Sequence, residues 1–153
     1  MIRVFMDASV FFAALYSSQG AARDLIRLAF EEKVRLIVSQ DILDEVARNI
    51  LKKAPHMATL YDLLLTTMDL EIVDAPPQDI VEQAVEYVTE KDAHVIAAAL
   101  EAKPDYLVTY DQKHLLGRPE VAERSGLKIV TPDVVVRTIQ GMGNPNPPGS
   151  PQW

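Results

Sequence analysis

Five short runs set the terms for any fold this chain adopts: IRVFM (2–6), VRLIVS (34–39), LEIVD (70–74), DYLVT (105–109) and LKIVT (127–131). Each is short and rich in β-branched or large apolar residues, the mark of a strand buried on both faces. Helical patterns lie between them. One runs from about Ser9 to Ser17. A second runs from Gly20 to Glu32, where AARDLIRLAFEE puts Leu25, Ile26, Leu28 and Ala29 on one side. Ser39 or Asp41 caps a third through about Lys52, and Pro55 ends it. Further helices are expected over 56–68, 78–88 and 92–102, with Pro132 in the first turn of a last one. Strands separated by helices pair in parallel and need both faces of the sheet covered. The expected fold is α/β, in three layers.

The length, 153 residues, fits one domain with a core large enough to need no disulfide or metal staple. Hydrophobic content is 48%, ordinary for a folded chain. The absence of cysteine excludes disulfide frameworks, thiol nucleophiles and cysteine-based zinc sites. No apolar run nears the roughly 20 residues that span a bilayer, and the first residues lack a signal-peptide pattern. The expectation is a soluble, cytoplasmic protein. Residues 1–140 form the expected domain. The remainder, GMGNPNPPGSPQW (141–153), is a tail that cannot bury enough to order itself, though it carries the one tryptophan, Trp153. The net charge of −7 argues against broad electrostatic binding of nucleic acid, but it says nothing of where the charges sit.

Ligands of open α/β sheets bind beyond the carboxyl ends of the strands. Asp7 stands at such an end, and Asp111 lies just past another. If both strands are central and parallel, the two carboxylates meet. A turn or cap role is the plainer reading of Asp7, although Ser9 would serve that purpose equally well. Asp92 falls within the apolar stripe of Val95, Ile96, Ala99 and Leu100, a costly place for a lone carboxylate. It also completes TEKD, so Thr89 and Asp92 are candidates for a capping box. On the helix beginning near Ser39, Glu45 and Asp44 border opposite edges of the stripe, and periodicity does not choose between them. Either one is otherwise a solvated residue, with Asp44 and Arg48 as an i,i+4 pair. Separated acids converging at one strand edge point to a hard divalent cation, Mg²⁺ or Mn²⁺, and to an activated water.

Four blocks in order, VFMDASV, SQDILDEVARNIL, EKDAHVIAAALEA and DYLVTYDQKHLL, resemble the PIN-domain family over about residues 2–140. The resemblance implies a PIN-like three-layer α/β/α sandwich around a parallel five-stranded sheet. It implies a metal-dependent endoribonuclease of single-stranded RNA, of the kind found as toxins of the virulence-associated protein C type. An antitoxin partner and a homodimer would accompany that role, the dimer formed through helices near 56–68. Carried over, Asp7, Glu45, Asp92 and Asp111 become the catalytic, metal-holding acids, with Ser9 and Thr109 in support. Lys113, His114 and Arg118, which follow the last acid, are candidates for RNA contacts. The chain departs from many relatives at Tyr110, where they have glycine, and at Lys113, where they have a further acid. The second departure favours one metal over two.

Two other readings compete. A phospho-aspartate receiver or phosphatase also has an Asp after its first strand. Phosphatases of that kind need an acid where this chain has Ser9, and a receiver would need Asp74 as phosphoacceptor. A non-catalytic PIN scaffold that binds RNA or protein would not need all four acids.

Overall fold

Buried residues on both faces place β1 (Ile2–Met6) at the centre of the sheet, where Val4, Phe5 and Met6 are fully enclosed. This computed structural model describes residues 1–143. β1 leads into α1 (Ala8–Tyr16) and α2 (Ala21–Phe30), then β2 (Val34–Ser39) and α3 (Gln40–Lys53). A 3₁₀ turn at Pro55–Met57 precedes α4 (Ala58–Thr67), β3 (Glu71–Val73), α5 (Gln78–Val85) and α6 (Glu90–Ala102). β4 (Tyr106–Val108), α7 (Pro119–Ser125), β5 (Ile129–Val130) and α8 (Pro132–Gly143) complete the chain. The five strands are all parallel, in the order β3-β2-β1-β4-β5. Val4 faces Leu36 of β2 on one side and Tyr106 of β4 on the other. Helices flank this sheet, with α1 against α2 and α3, α2 against α8, and α5 against α6. The expected three-layer α/β fold is the one observed. No helix of the described residues is long and apolar enough to cross a membrane.

The strand order bears on function. From β1 the chain winds outward through β2 and β3, and it returns to the other side of β1 for β4 and β5. The β1–β4 junction is therefore the topological switch point, where open α/β sheets form their ligand crevice. A receiver of the flavodoxin-like order sets its third strand beside its first. Here β2 intervenes, so Asp74, just past β3, lies at the sheet edge away from Asp7. The receiver reading fails on topology, and the phosphatase reading still lacks its second acid, since Ser9 stands in that position.

Several elements depart in detail from the expectations. The 56–68 helix is divided, because Pro55 starts a 3₁₀ turn before α4. The stretch between β4 and β5, which carried no expected element, forms a π-helical turn (Gln112–Leu116) and then α7. The amide of Gly117 closes that turn on the Gln112 carbonyl at 2.7 Å, and a Cβ at Gly117 would collide with the same carbonyl. The last helix continues to Gly143, past the boundary expected at Gln140. The rest of the proposed tail, with Trp153, lies outside the described residues.

α4 is fastened to α3 by one buried hydrogen bond, which the Tyr61 hydroxyl donates to the Leu43 carbonyl at 3.1 Å. The Tyr61 ring packs edge-on to Phe11 at 6.2 Å. Burial, with Asp44 and Asp62 adding negative potential, pushes the Tyr61 phenol up to about 12. Tyr61→Phe should destabilise the protein by about 1 kcal/mol in urea unfolding near neutral pH. The folded pKa is raised, so this residue's contribution is complete below the ordinary tyrosine value of about 10 and is lost as pH rises through about 12. A Tyr61→Phe variant with wild-type stability and wild-type alkaline behaviour would refute the assignment.

Candidate active site at the carboxyl edge of the sheet

Asp7 follows the last residue of β1 and is the backbone N-cap of α1, yet its side chain makes no capping bond. Its amide donates to the Val108 carbonyl at 3.1 Å, which sets it beside the end of β4. Two hydroxyls converge on one carboxylate oxygen. Thr109 Oγ1 donates to Asp7 Oδ2 at 2.8 Å, and Ser9 Oγ donates to the same oxygen at 3.1 Å. Both hydroxyls are also acceptors. Thr109 Oγ1 takes the Asp111 amide at 3.0 Å, and Ser9 Oγ takes the Tyr110 amide at 3.0 Å. Thr109 is wholly buried, one of two buried polar side chains among the described residues. Ser9 and Thr109 thus both bond the Asp7 carboxylate.

Asp111 caps the π-helical turn. Its Oδ1 accepts from the His114 amide at 3.0 Å, and its Oδ2 lies 3.3 Å from His114 Nδ1. Asp92, in the first turn of α6, is bonded to Thr89 and lines the same cleft as Asp7. Thr89 Oγ1 accepts the Asp92 amide at 3.4 Å and donates to Asp92 Oδ2 at 3.0 Å. The return arm of a capping box, a bond from the Thr89 amide to the acid side chain, is absent, because aspartate is too short for that reach. Asp92 is only partly buried, and it remains at the cleft.

α3 gives Glu45 and Asp44 different surroundings. Glu45 lines a cleft of about 280 Å³ together with Asp7, Asp92 and Asp111. Asp44 is exposed and accepts from Gln40 Nε2 at 3.0 Å, and the expected Asp44–Arg48 pair is not formed. Sequence reasoning missed Lys91. Its Nζ lies 2.8 Å from Glu45 Oε1, and the lysine is 75% exposed against 23% for the acid. Its position just before Asp92 is legible, but its partner is remote in the chain. His114 also belongs nearer the acids than expected, since Asp92, Asp111 and His114 each offer a ligand atom within 4.8 Å of the others. Lys113 is exposed on the same turn. Arg118 is engaged elsewhere, through Nε to Glu120 at 2.8 Å and Nη2 to the Tyr87 carbonyl at 3.1 Å.

The donor set fits a hard divalent cation. Four carboxylates face one ammonium in the cleft, with an imidazole at its border. Burial raises the Asp7 carboxyl above its ordinary value. The Thr109 hydroxyl, the Ala8 amide and the Ser9 hydroxyl oppose that rise, while the Glu45 charge adds to it. A raised folded pKa gives stability that is present below the ordinary carboxylate value of about 4 and lost as pH rises through the folded value. In EDTA, Asp7→Asn should remove that loss, so its stability relative to wild type should improve from pH 4 to pH 7. Urea midpoints at both pH values measure it, and parallel pH profiles for the two proteins would refute it.

The family profile described as the PIN domain matches residues 3–113, from β1 through the first half of the π-helical turn. No curated protein matches the sequence. Among solved structures, PAE2754 from Pyrobaculum aerophilum superposes with a TM-score of 0.62 at 18% identity, over 91% of this chain and 90% of that one. VapBC2 from Rickettsia felis, bound to a DNA fragment from their promoter, gives 0.61 at 17% identity, over 84% and 97%. VapC20 from Mycobacterium tuberculosis, a sarcin–ricin loop cleaving toxin, gives 0.51 at 18% identity, over 72% and 91%. At these identities the likeness is one of fold. With its sheet order, its acids at the switch point and a profile match over most of its length, the chain belongs to the PIN domain family.

Proposed function

We propose that this protein is a metal-dependent endoribonuclease that cleaves single-stranded RNA, and that it acts as the toxin of a toxin–antitoxin pair in the cytoplasm. The observation that carries the reading is the meeting of Asp7, Glu45, Asp92 and Asp111 in one cleft at the switch point of a PIN domain. Those four residues would hold Mg²⁺ or Mn²⁺, with His114 beside Asp92 and Asp111. A divalent cation there supplies the Lewis acidity that makes water an effective nucleophile toward a phosphodiester. The protein's own groups do the rest. Thr109 and Ser9 fix the Asp7 carboxylate, and Asp111 is oriented by its bond to the Thr109 hydroxyl and by the His114 amide. Lys91 sets a positive charge at the cleft, where an incoming phosphate would meet it.

The toxin role is supported by likeness in fold to proteins described as toxins or toxin–antitoxin complexes. The antitoxin partner and a homodimer belong to the same reading. For the dimer, α3 and α4 leave Leu51 and Leu63 exposed at 72% and 56%. Lys113 remains an RNA-contact candidate, whereas Arg118 would first have to leave Glu120.

Purified protein should cut unstructured RNA in Mn²⁺ or Mg²⁺, and EDTA should stop it. Asp7→Asn should lower cleavage at least about 100-fold while its circular dichroism stays native. Undiminished cleavage by that variant would end the mechanism. The α3 acids give an independent check by thermal shift. Mn²⁺ at about a hundred times its Kd should stabilise the wild type by about 2.7 kcal/mol. Glu45→Gln should lose most of that gain. Asp44→Asn should keep it, and should change stability by no more than about 0.5 kcal/mol. Equal responses from the two variants would show that Glu45 holds no metal.

A further inference from the structure

A second cavity, of about 400 Å³, opens between α3 and α6 and shares Glu45, Lys91 and Val95 with the acidic cleft. Its lining differs in sign. Arg48, Lys52 and Lys91 bring three cations against the carboxylates of Asp41 and Glu45, and Asn49 and His94 complete the polar lining. This is a local excess of positive charge in a chain whose net charge is −7.

Folding does not call for that arrangement. Arg48 and Lys52 are one turn apart on α3, and like charges at i,i+4 cost a helix a few tenths of a kcal/mol. Neither makes a salt bridge among the described residues, although Asp44 stands one turn before Arg48. Lys52 is not needed for the negative end of the helix, because Lys53 occupies the same last turn. Arginines elsewhere are neutralised, Arg118 by Glu120 and Arg124 by Glu86. Arg48 and Lys52 are thus exposed, unpaired cations lining a groove that runs into the acids.

We propose that this groove binds the phosphate backbone of single-stranded RNA, on one side of the phosphodiester held in the acidic cleft. The inference rests on the ribonuclease reading and names where its substrate lies. Arg48 offers a forked guanidinium suited to phosphate oxygens, and Lys52 a point charge one turn along. Lys91 marks the boundary between groove and cleft. Such contacts fix the register of the strand without reading its bases.

The test is binding of a short fluorescein-labelled single-stranded RNA in EDTA, followed by anisotropy across a salt series. The double variant Arg48→Gln/Lys52→Gln should bind at least about 10-fold more weakly, and its slope of log K against log salt should shrink by about 1.4. It should keep the Mn²⁺ thermal shift, which reports an intact acidic cleft. Lys53→Gln changes the charge of the same helix end without lining the groove, and it should bind as wild type. Wild-type affinity and slope in the double variant would overturn the proposal. So would a loss as large in Lys53→Gln as in a single Lys52→Gln variant, since that would be nonspecific attraction. RNA cleavage by the wild type in Mn²⁺ is scored separately. A protein that binds through the groove but never cuts would refute the ribonuclease reading and leave the groove standing.

Discussion

Two hydroxyl groups on one oxygen of Asp7 hold the site together. Thr109, at the end of β4, and Ser9, in the first turn of α1, both donate to Asp7 Oδ2, and each accepts an amide from the segment that carries Asp111. The bonds therefore join β1, α1 and the β4 exit in one network, and they orient two of the four acids. The arrangement also carries a cost. A partly buried carboxylate near Glu45 resists ionisation, and hydroxyl donors offset only part of that resistance. The Asp7 carboxyl remains raised, so the network is built to hold a charge that the metal-free fold does not favour.

Why the acids meet at all follows from the strand order. β1 is flanked by β2 and β4, and the chain leaves β1 in one direction and returns on the other side. The ends of β1 and β4 are thus left side by side with no crossover covering the junction. Helices then bring the remaining acids to that opening. α3 contributes Glu45 and α6 contributes Asp92, from a helix otherwise buried along most of its length. Tyr61 keeps α3 in place through its bond to Leu43, so a residue outside the site bears on where Glu45 sits.

The sheet and the two strand-end acids were legible in the sequence, because continuous apolar runs identify parallel strands and the residue after such a run falls at the crevice. Asp92 was legible as an oddity: its position on an apolar face demanded a partner, which proved to be Thr89 with the cleft beyond it. Glu45 was not decidable from periodicity, since Asp44 borders the same stripe. Only packing of α3 near α6, with Lys91 against Glu45, separates them. Lys91 and the groove were hidden for the same reason: their partners are distant in sequence. The π-helical turn was hidden differently. Its geometry depends on Gly117 allowing a close approach to Gln112, and one glycine gives no periodic signal.

The charge pattern answers the objection that an acidic protein is ill-suited to the proposed nuclease role. At physiological ionic strength, exposed charges are screened over about 8 Å. A phosphate lying between Arg48 and Lys52 would therefore respond mainly to the groove around it and little to acids elsewhere on the surface. Net charge still acts at longer range and lowers the rate of encounter with RNA, most at low salt. Asp41 within the groove and the acidic cleft beside it are nearby sources of repulsion, and a bound divalent cation would cancel much of the cleft's share. Lys91 stands where the two regions meet, beside the acid that a cation would engage and facing the groove that a backbone would follow. Occupation of the cleft by a cation and occupation of the groove by RNA would then favour each other, because each removes a charge imbalance that the other feels.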